Sequence, residues 1–126
     1  MATKDRIYQG DTFPVKYECR KPNLEDTRDS RGLPATPISA SIRVYDSINS
    51  AFLELGGPGV YDVDAEITAA TGTDAGDLGA MVTYTLPATF TQVSGDYTLF
   101  LTAEFADSPT NVILTENRRY KVEEYR

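Results

Sequence analysis

Between Tyr97 and Phe105 the chain alternates: Tyr97, Leu99, Leu101, Ala103 and Phe105 are separated by Thr98, Phe100, Thr102 and Glu104. A two-residue period over that length sends every other side chain to one face of a strand, and that face has to be buried. Ser94-Gly95-Asp96 just before it supplies turn residues that launch the strand. Phe100 is the exception, an aromatic on the face the pattern sends outward. The rest of the chain has to provide the surface that covers this strand.

The same period recurs. Phe13, Val15, Tyr17 and Cys19 alternate with Pro14, Lys16, Glu18 and Arg20. Pro14 has no N–H for a ladder, so its end of the strand belongs at an edge or a bulge. Ile38, Ala40, Ile42 and Val44 are expected inward in a strand ending at Asp46, with Tyr45 outward. Tyr61, Val63, Ala65 and Ile67 define a fourth long strand, and Ala80 to Leu86 a fifth. Ile7 and Tyr8 suggest a short edge strand after a polar, flexible lead. The last strand runs from Val112 to Val122 with a bulge expected near Asn117. Ala88 to Val93 reads as one helical turn or a corner that drops Phe90 and Val93 into the core.

Between these runs lie a short apolar stretch (Ala51 to Leu55), the turn Gly56-Gly57-Pro58-Gly59, a flexible loop from Thr71 to Gly79, and a turn at Asp107 to Asn111. Residues 21–37 form a long, charged, proline-punctuated loop, a length that in a compact domain marks a functional or mobile segment. At 126 residues there is room for one core. The expectation is an all-β, antiparallel two-sheet sandwich of about seven strands spanning residues 1–126, with barrel closure as the alternative.

Chemistry is sparse. There is no histidine, which removes the commonest general base and metal ligand together. Cys19, the only cysteine, shares a face with Phe13, Val15 and Tyr17 and reads as a small buried hydrophobe. The serines and threonines have no base spaced to activate them. The glycine-rich turn is followed by neither lysine nor helix, so it is no phosphate cradle. No enzyme and no cofactor are expected. Asp62 and Asp64 on one strand face, helped by Asp74 and Asp77 in the following loop, are the weak candidates for calcium, although a strand spreads alternate side chains about 7 Å apart.

Charge is segregated along the chain. No lysine or arginine occurs from Tyr45 to Asn117, where the acids are concentrated, and the formal net charge is −7. Such a surface would repel a nucleic-acid backbone, so no nucleic-acid partner is expected. No run reaches the length a membrane helix requires, and the polar start has no apolar segment behind it, so neither a membrane partner nor a signal peptide is expected. The alternative to a solvated acidic surface is that acidic and basic faces meet when copies or partners assemble. The residues expected at such contacts are Arg28 and Arg31 in the long loop, the outward aromatics Tyr45 and Phe100, and the basic end at Arg118, Arg119 and Arg126.

Several short motifs carry a resemblance. Gly10-Asp11-Thr12 leads into the alternating strand Phe13 to Arg20. Gly32-Leu33-Pro34 precedes a strand ending in Asp46. Leu86-Pro87-Ala88 leads through a short turn to Gly95-Asp96-Tyr97 and the strand to Phe105. With these the chain resembles the immunoglobulin-like sandwich domains of tailed-bacteriophage structural proteins, and is similar to the N-terminal domain of phage baseplate upper proteins. Tyr97 resembles the tyrosine corner of such sandwiches, whose hydroxyl bonds back to the chain upstream. The charged insertion and the acidic middle depart from the family pattern. The resemblance implies a non-enzymatic virion component of the head, neck, tail or baseplate, made in the host cytoplasm, whose partners are other virion proteins and symmetric copies of itself. The alternative is a module recognising a host-surface glycan or a calcium-dependent partner.

Overall fold

A computed structural model of the chain describes residues 5–22, 32–72, 74, 76–107 and 109–124. Among them the strands are β1 (Asp5–Tyr8), β2 (Phe13–Lys21), β3 (Leu33–Pro34), β4 (Ser39–Asp46), β5 (Ala51–Phe52), β6 (Val63–Asp64), β7 (Glu66–Thr68), β8 (Ala80–Leu86), β9 (Gly95–Phe105) and β10 (Val112–Glu123). A 3-10 turn at Ala88–Thr91 precedes β9, and no α-helix occurs among the described residues. The architecture is all-β, in two sheets. The larger has the order β1-β10-β9-β4-β5, with β6 also on β4; the smaller has the order β3-β2-β8-β7. Every pairing is antiparallel except that of β1, which runs parallel to β10 from Asp5 beside Tyr120 to Tyr8 beside Glu123.

The strand from Gly95 to Phe105 is central, flanked by β10 on one side and β4 on the other. Its inward residues Tyr97, Leu99, Leu101, Ala103 and Phe105 are all buried. They pack with Ala40, Ile42 and Val44 of β4 and with Val15, Val82 and Leu86 of the smaller sheet. Each large side chain so buried stabilises the fold by roughly 1.5–3 kcal/mol relative to leaving it in water. Cys19 is fully buried in the same core, as its face predicts.

Local chemistry explains the short motifs. Asp46 is buried at the end of β4, and its carboxylate accepts the Ile48 N–H at 3.0 Å and the Asn49 side-chain amide at 2.7 Å, which shapes the turn into β5. Gly32 has φ +78, and a side chain there would run into the Lys21 carbonyl. Only glycine serves at that point, and it lets β3 pair back onto Arg20 and Lys21. The Tyr97 hydroxyl donates to the Val93 carbonyl at 2.7 Å, the upstream bond its spacing predicts. Pro14 lies where β2 has β8 on one side and nothing from β3 on the other, the edge position expected of it.

Four expectations are corrected. The strand drawn through residues 60–67 is broken at Ala65. The Ala65 N–H bonds Ala40 of β4, whereas Glu66 onward pairs β8, so this segment leaves one sheet for the other at the rim of the sandwich. Val63, Ala65 and Ile67 still pack on the core, but Tyr61 is exposed, held out by the turn that joins Gly56 to Val60. Ile38, expected inward, is 59% exposed, and Pro37 takes the buried place before β4. Val93 is 62% exposed; the interior position falls instead to Thr91, whose hydroxyl lies 2.7 Å from the Asp11 carbonyl. Finally, β10 has no bulge, its register running unbroken from Val112 opposite Phe105 to Val122 opposite Gly95.

That unbroken register places Glu116 and Arg118 on the inward side of β10, between Leu114 and Tyr120. They are accommodated because that flank of the sandwich is open. The Arg118 guanidinium lies 5.6 Å from the Phe13 ring centre, and Glu116 takes a hydrogen bond from Tyr17. Burial, then Glu116, pushes the Tyr17 hydroxyl well above its ordinary pKa. The loop after β7, expected to be flexible, is closed at its ends: the Thr71 N–H donates to Leu78 at 3.0 Å, and the Leu78 N–H returns to the Thr71 hydroxyl.

Candidate docking face

On the outward side of the larger sheet the ladder brings four residues into two adjacent rows. Tyr45 stands opposite Thr98 on one side and Phe52 on the other, while Arg43 stands opposite Phe100. Alternation along β4 and β9 puts all of these on the face away from the core. The rings touch: Tyr45 and Phe52 meet edge-on at 5.1 Å, and Phe52 and Phe100 are 6.2 Å apart. The exposed Arg43 guanidinium lies 4.9 Å from the Phe52 centroid and 5.9 Å from that of Phe100. At an exposed site each such cation–ring contact is worth about 0.5–1 kcal/mol.

No layer of this chain's described residues covers the patch, and its three aromatics remain half-buried by their neighbours alone. A contiguous aromatic surface with an arginine at its centre has the composition of protein interfaces, where Tyr, Phe and Arg are enriched and lysine and acids are depleted. It has no nucleophile, no base and no convergent carboxylates.

Of the residues expected at interfaces, the structure brings Tyr45 and Phe100 together. Arg119 borders them, exposed and opposite Thr98 in the row that continues to Tyr45. Arg118 does not join them, because it faces inward over Phe13. Arg28, Arg31 and Arg126 lie outside the described residues. Arg43 and Phe52 complete the patch and were not singled out from the sequence. Arg43 could have been found, since it shares Tyr45's face at a spacing of two. Phe52 could not, because its place depends on how β5 folds back onto β4.

The calcium candidates are not gathered into a site. Asp62 and Asp64 are exposed on the rim segment, whereas Asp77 closes its own turn, its carboxylate accepting the Asp74 N–H at 2.9 Å. Among the described residues no group of three or more histidines, cysteines, aspartates or glutamates could hold a metal ion. A groove of about 790 Å³ lies at one end of the sandwich between Tyr8, Ile48, Gly95 and Lys121, and a hollow of about 230 Å³ opens beside Tyr17 and Glu116. Cys19, fully buried in the core, has its thiol pKa pushed up to about 11 by burial, which makes it a poor nucleophile at neutral pH. Set beside known protein families, curated proteins and solved structures, the chain matches none.

Proposed function

We propose that this protein is a non-enzymatic structural component of a bacteriophage virion, of the head, neck, tail or baseplate, which acts through protein–protein contacts made by an immunoglobulin-like sandwich. The observation that carries the contact role is the uncovered cluster of Tyr45, Phe52 and Phe100 around Arg43. The strand order supports the immunoglobulin-like reading. One sheet has β2, β8 and β7 adjacent, the other β10, β9, β4 and β5, the arrangement of strands B, E, D and G, F, C, C′ in a variable-type domain. The Tyr97 hydroxyl bond at the start of β9 supports it further. The virion setting follows from the resemblance of the Gly10-Asp11-Thr12, Gly32-Leu33-Pro34 and Leu86-Pro87 to Tyr97 motifs to phage structural domains.

The test is the protein composition of purified particles of the phage that encodes the chain. The chain is expected there at a copy number set by particle symmetry. Its absence from intact particles, with the protein abundant in the lysate, would overturn the proposal.

A further inference from the structure

The fold converts the charge segregation of the sequence into opposite charges at opposite edges. Every described lysine and arginine except Arg43 stands on β1, β2 or β10, the strands of one flank. The other flank, built by β5, β6, β7 and their connections from Ala51 to Thr68, holds Glu54, Asp62, Asp64 and Glu66, and the one cation near it among the described residues is Arg43, over the Phe52 ring. The acids on the basic flank are largely engaged: Glu18 pairs with Arg20 at 3.1 Å, Glu123 lies 3.9 Å from Lys121, and Glu116 bonds Tyr17. Arg119, Asp62 and Asp64, by contrast, are exposed, and among the described residues none has an ion pair or a side-chain hydrogen bond.

Both flanks also present open backbone. β1 covers β10 only from Tyr120 to Glu123, so among the described residues β10 from Val112 to Arg119 has β9 on one side and no strand on the other. On the acidic flank, among the described residues, β6 pairs only β4 and β7 pairs only β8. Unpaired strand edges are templates for another strand, and main-chain bonds along such an edge supply affinity.

We propose that copies of this chain associate head to tail, the acidic rim around β6 of one copy adding to the open stretch of β10 of the next. Asp62 and Asp64 then face the Arg119 end of the neighbouring edge. The partner is a second copy because one chain carries both complementary surfaces. Joining two β10 edges would instead leave Asp62 and Asp64 of both copies without a cationic partner. Contacts between unlike surfaces make a ring when the rotation closes and a filament when it does not. This deepens the assembly reading above and rests on it for its setting.

The test is the mass of the purified full chain by sedimentation, across a concentration series at about 0.05 M and about 0.5 M salt, conditions that bracket strong and weak screening. Assemblies larger than a monomer are expected at low salt and dissociation at high salt. Arg119→Glu and Asp64→Lys are each expected to weaken association at least ~10-fold. Mixed together, the two variants are expected to recover assembly, because the reversed charges of Arg119→Glu and Asp64→Lys complement each other as the native ones do. Melting curves establish that each variant is folded, with Arg119→Gln and Asp64→Asn as the milder pair. A monomer under every condition, an oligomer indifferent to both variants, or a mixture that stays monomeric would each overturn the inference. A monomer that is still found in particles would overturn it while leaving the virion role standing; an oligomer absent from particles would do the reverse.

Discussion

Leu99 and Phe100 are neighbours on one strand, and they serve opposite faces of the same sheet. Leu99 is buried among Val15, Val44 and Tyr97, with a second sheet over it. Phe100 is half-buried beside Phe52 and Arg43, and no layer of the described residues lies above it. Both are large and apolar, so hydrophobicity does not separate them; what separates them is whether this chain supplies the covering layer. The inward face is complete in one molecule. The outward face is the one whose aromatic surface the described residues leave uncovered.

The largest effect is expected on the inward face. Leu99→Ala should cost about 2–5 kcal/mol of unfolding free energy, from lost burial plus the cavity left behind. Phe100→Ala, one residue away, should cost no more than about 1 kcal/mol, the scale of a surface ring contact. Chemical denaturation of both variants measures this. Equal losses would break the distinction between the two faces.

A smaller effect sharpens the comparison within the core. Tyr97 and Tyr120 stack with ring centres 5.2 Å apart and planes 10° from parallel, yet their hydroxyls differ. That of Tyr97 donates to Val93, whereas that of Tyr120 is buried with no hydrogen-bond partner among the described residues. Burial, helped by Tyr97 and Asp46, pushes the Tyr120 hydroxyl far above its ordinary pKa. Tyr97→Phe should therefore lose about 1 kcal/mol, the net worth of one hydrogen bond. Tyr120→Phe should be neutral or stabilising, since it removes a desolvated group that gains nothing. Equal destabilisation by the two would show that Tyr120 is hydrogen-bonded after all.

Period-two patterning makes the inward faces of β2, β8 and β9 legible in the sequence, and the resemblance of Tyr97 to a tyrosine corner implies the hydroxyl bond it makes. Alternation tells which residues share a face; it does not tell how far the opposite sheet extends over that face. Ile38 and Val93 keep their expected parity or spacing and still fall in solvent, because none of the described residues lies over them. The same gap hid the break at Ala65, where the inward set continues while the hydrogen-bonding partner changes from β4 to β8. The bulge expected near Asn117 is absent because an open flank lets the charged Glu116 and Arg118 face inward in an unbroken register. For the docking face, Tyr45 and Phe100 were legible one at a time as outward aromatics. Their meeting through Phe52 depends on cross-strand register, which no single strand encodes.

The most direct test of the division between the faces is the incorporation of a Phe52→Ser/Phe100→Ser double variant into particles, measured against the wild-type chain in the same preparation. With a melting curve showing that the variant remains folded, the account predicts that it is left behind in the soluble fraction. Incorporation at the wild-type level would contradict it, and the outward aromatic patch would then have no part in assembly.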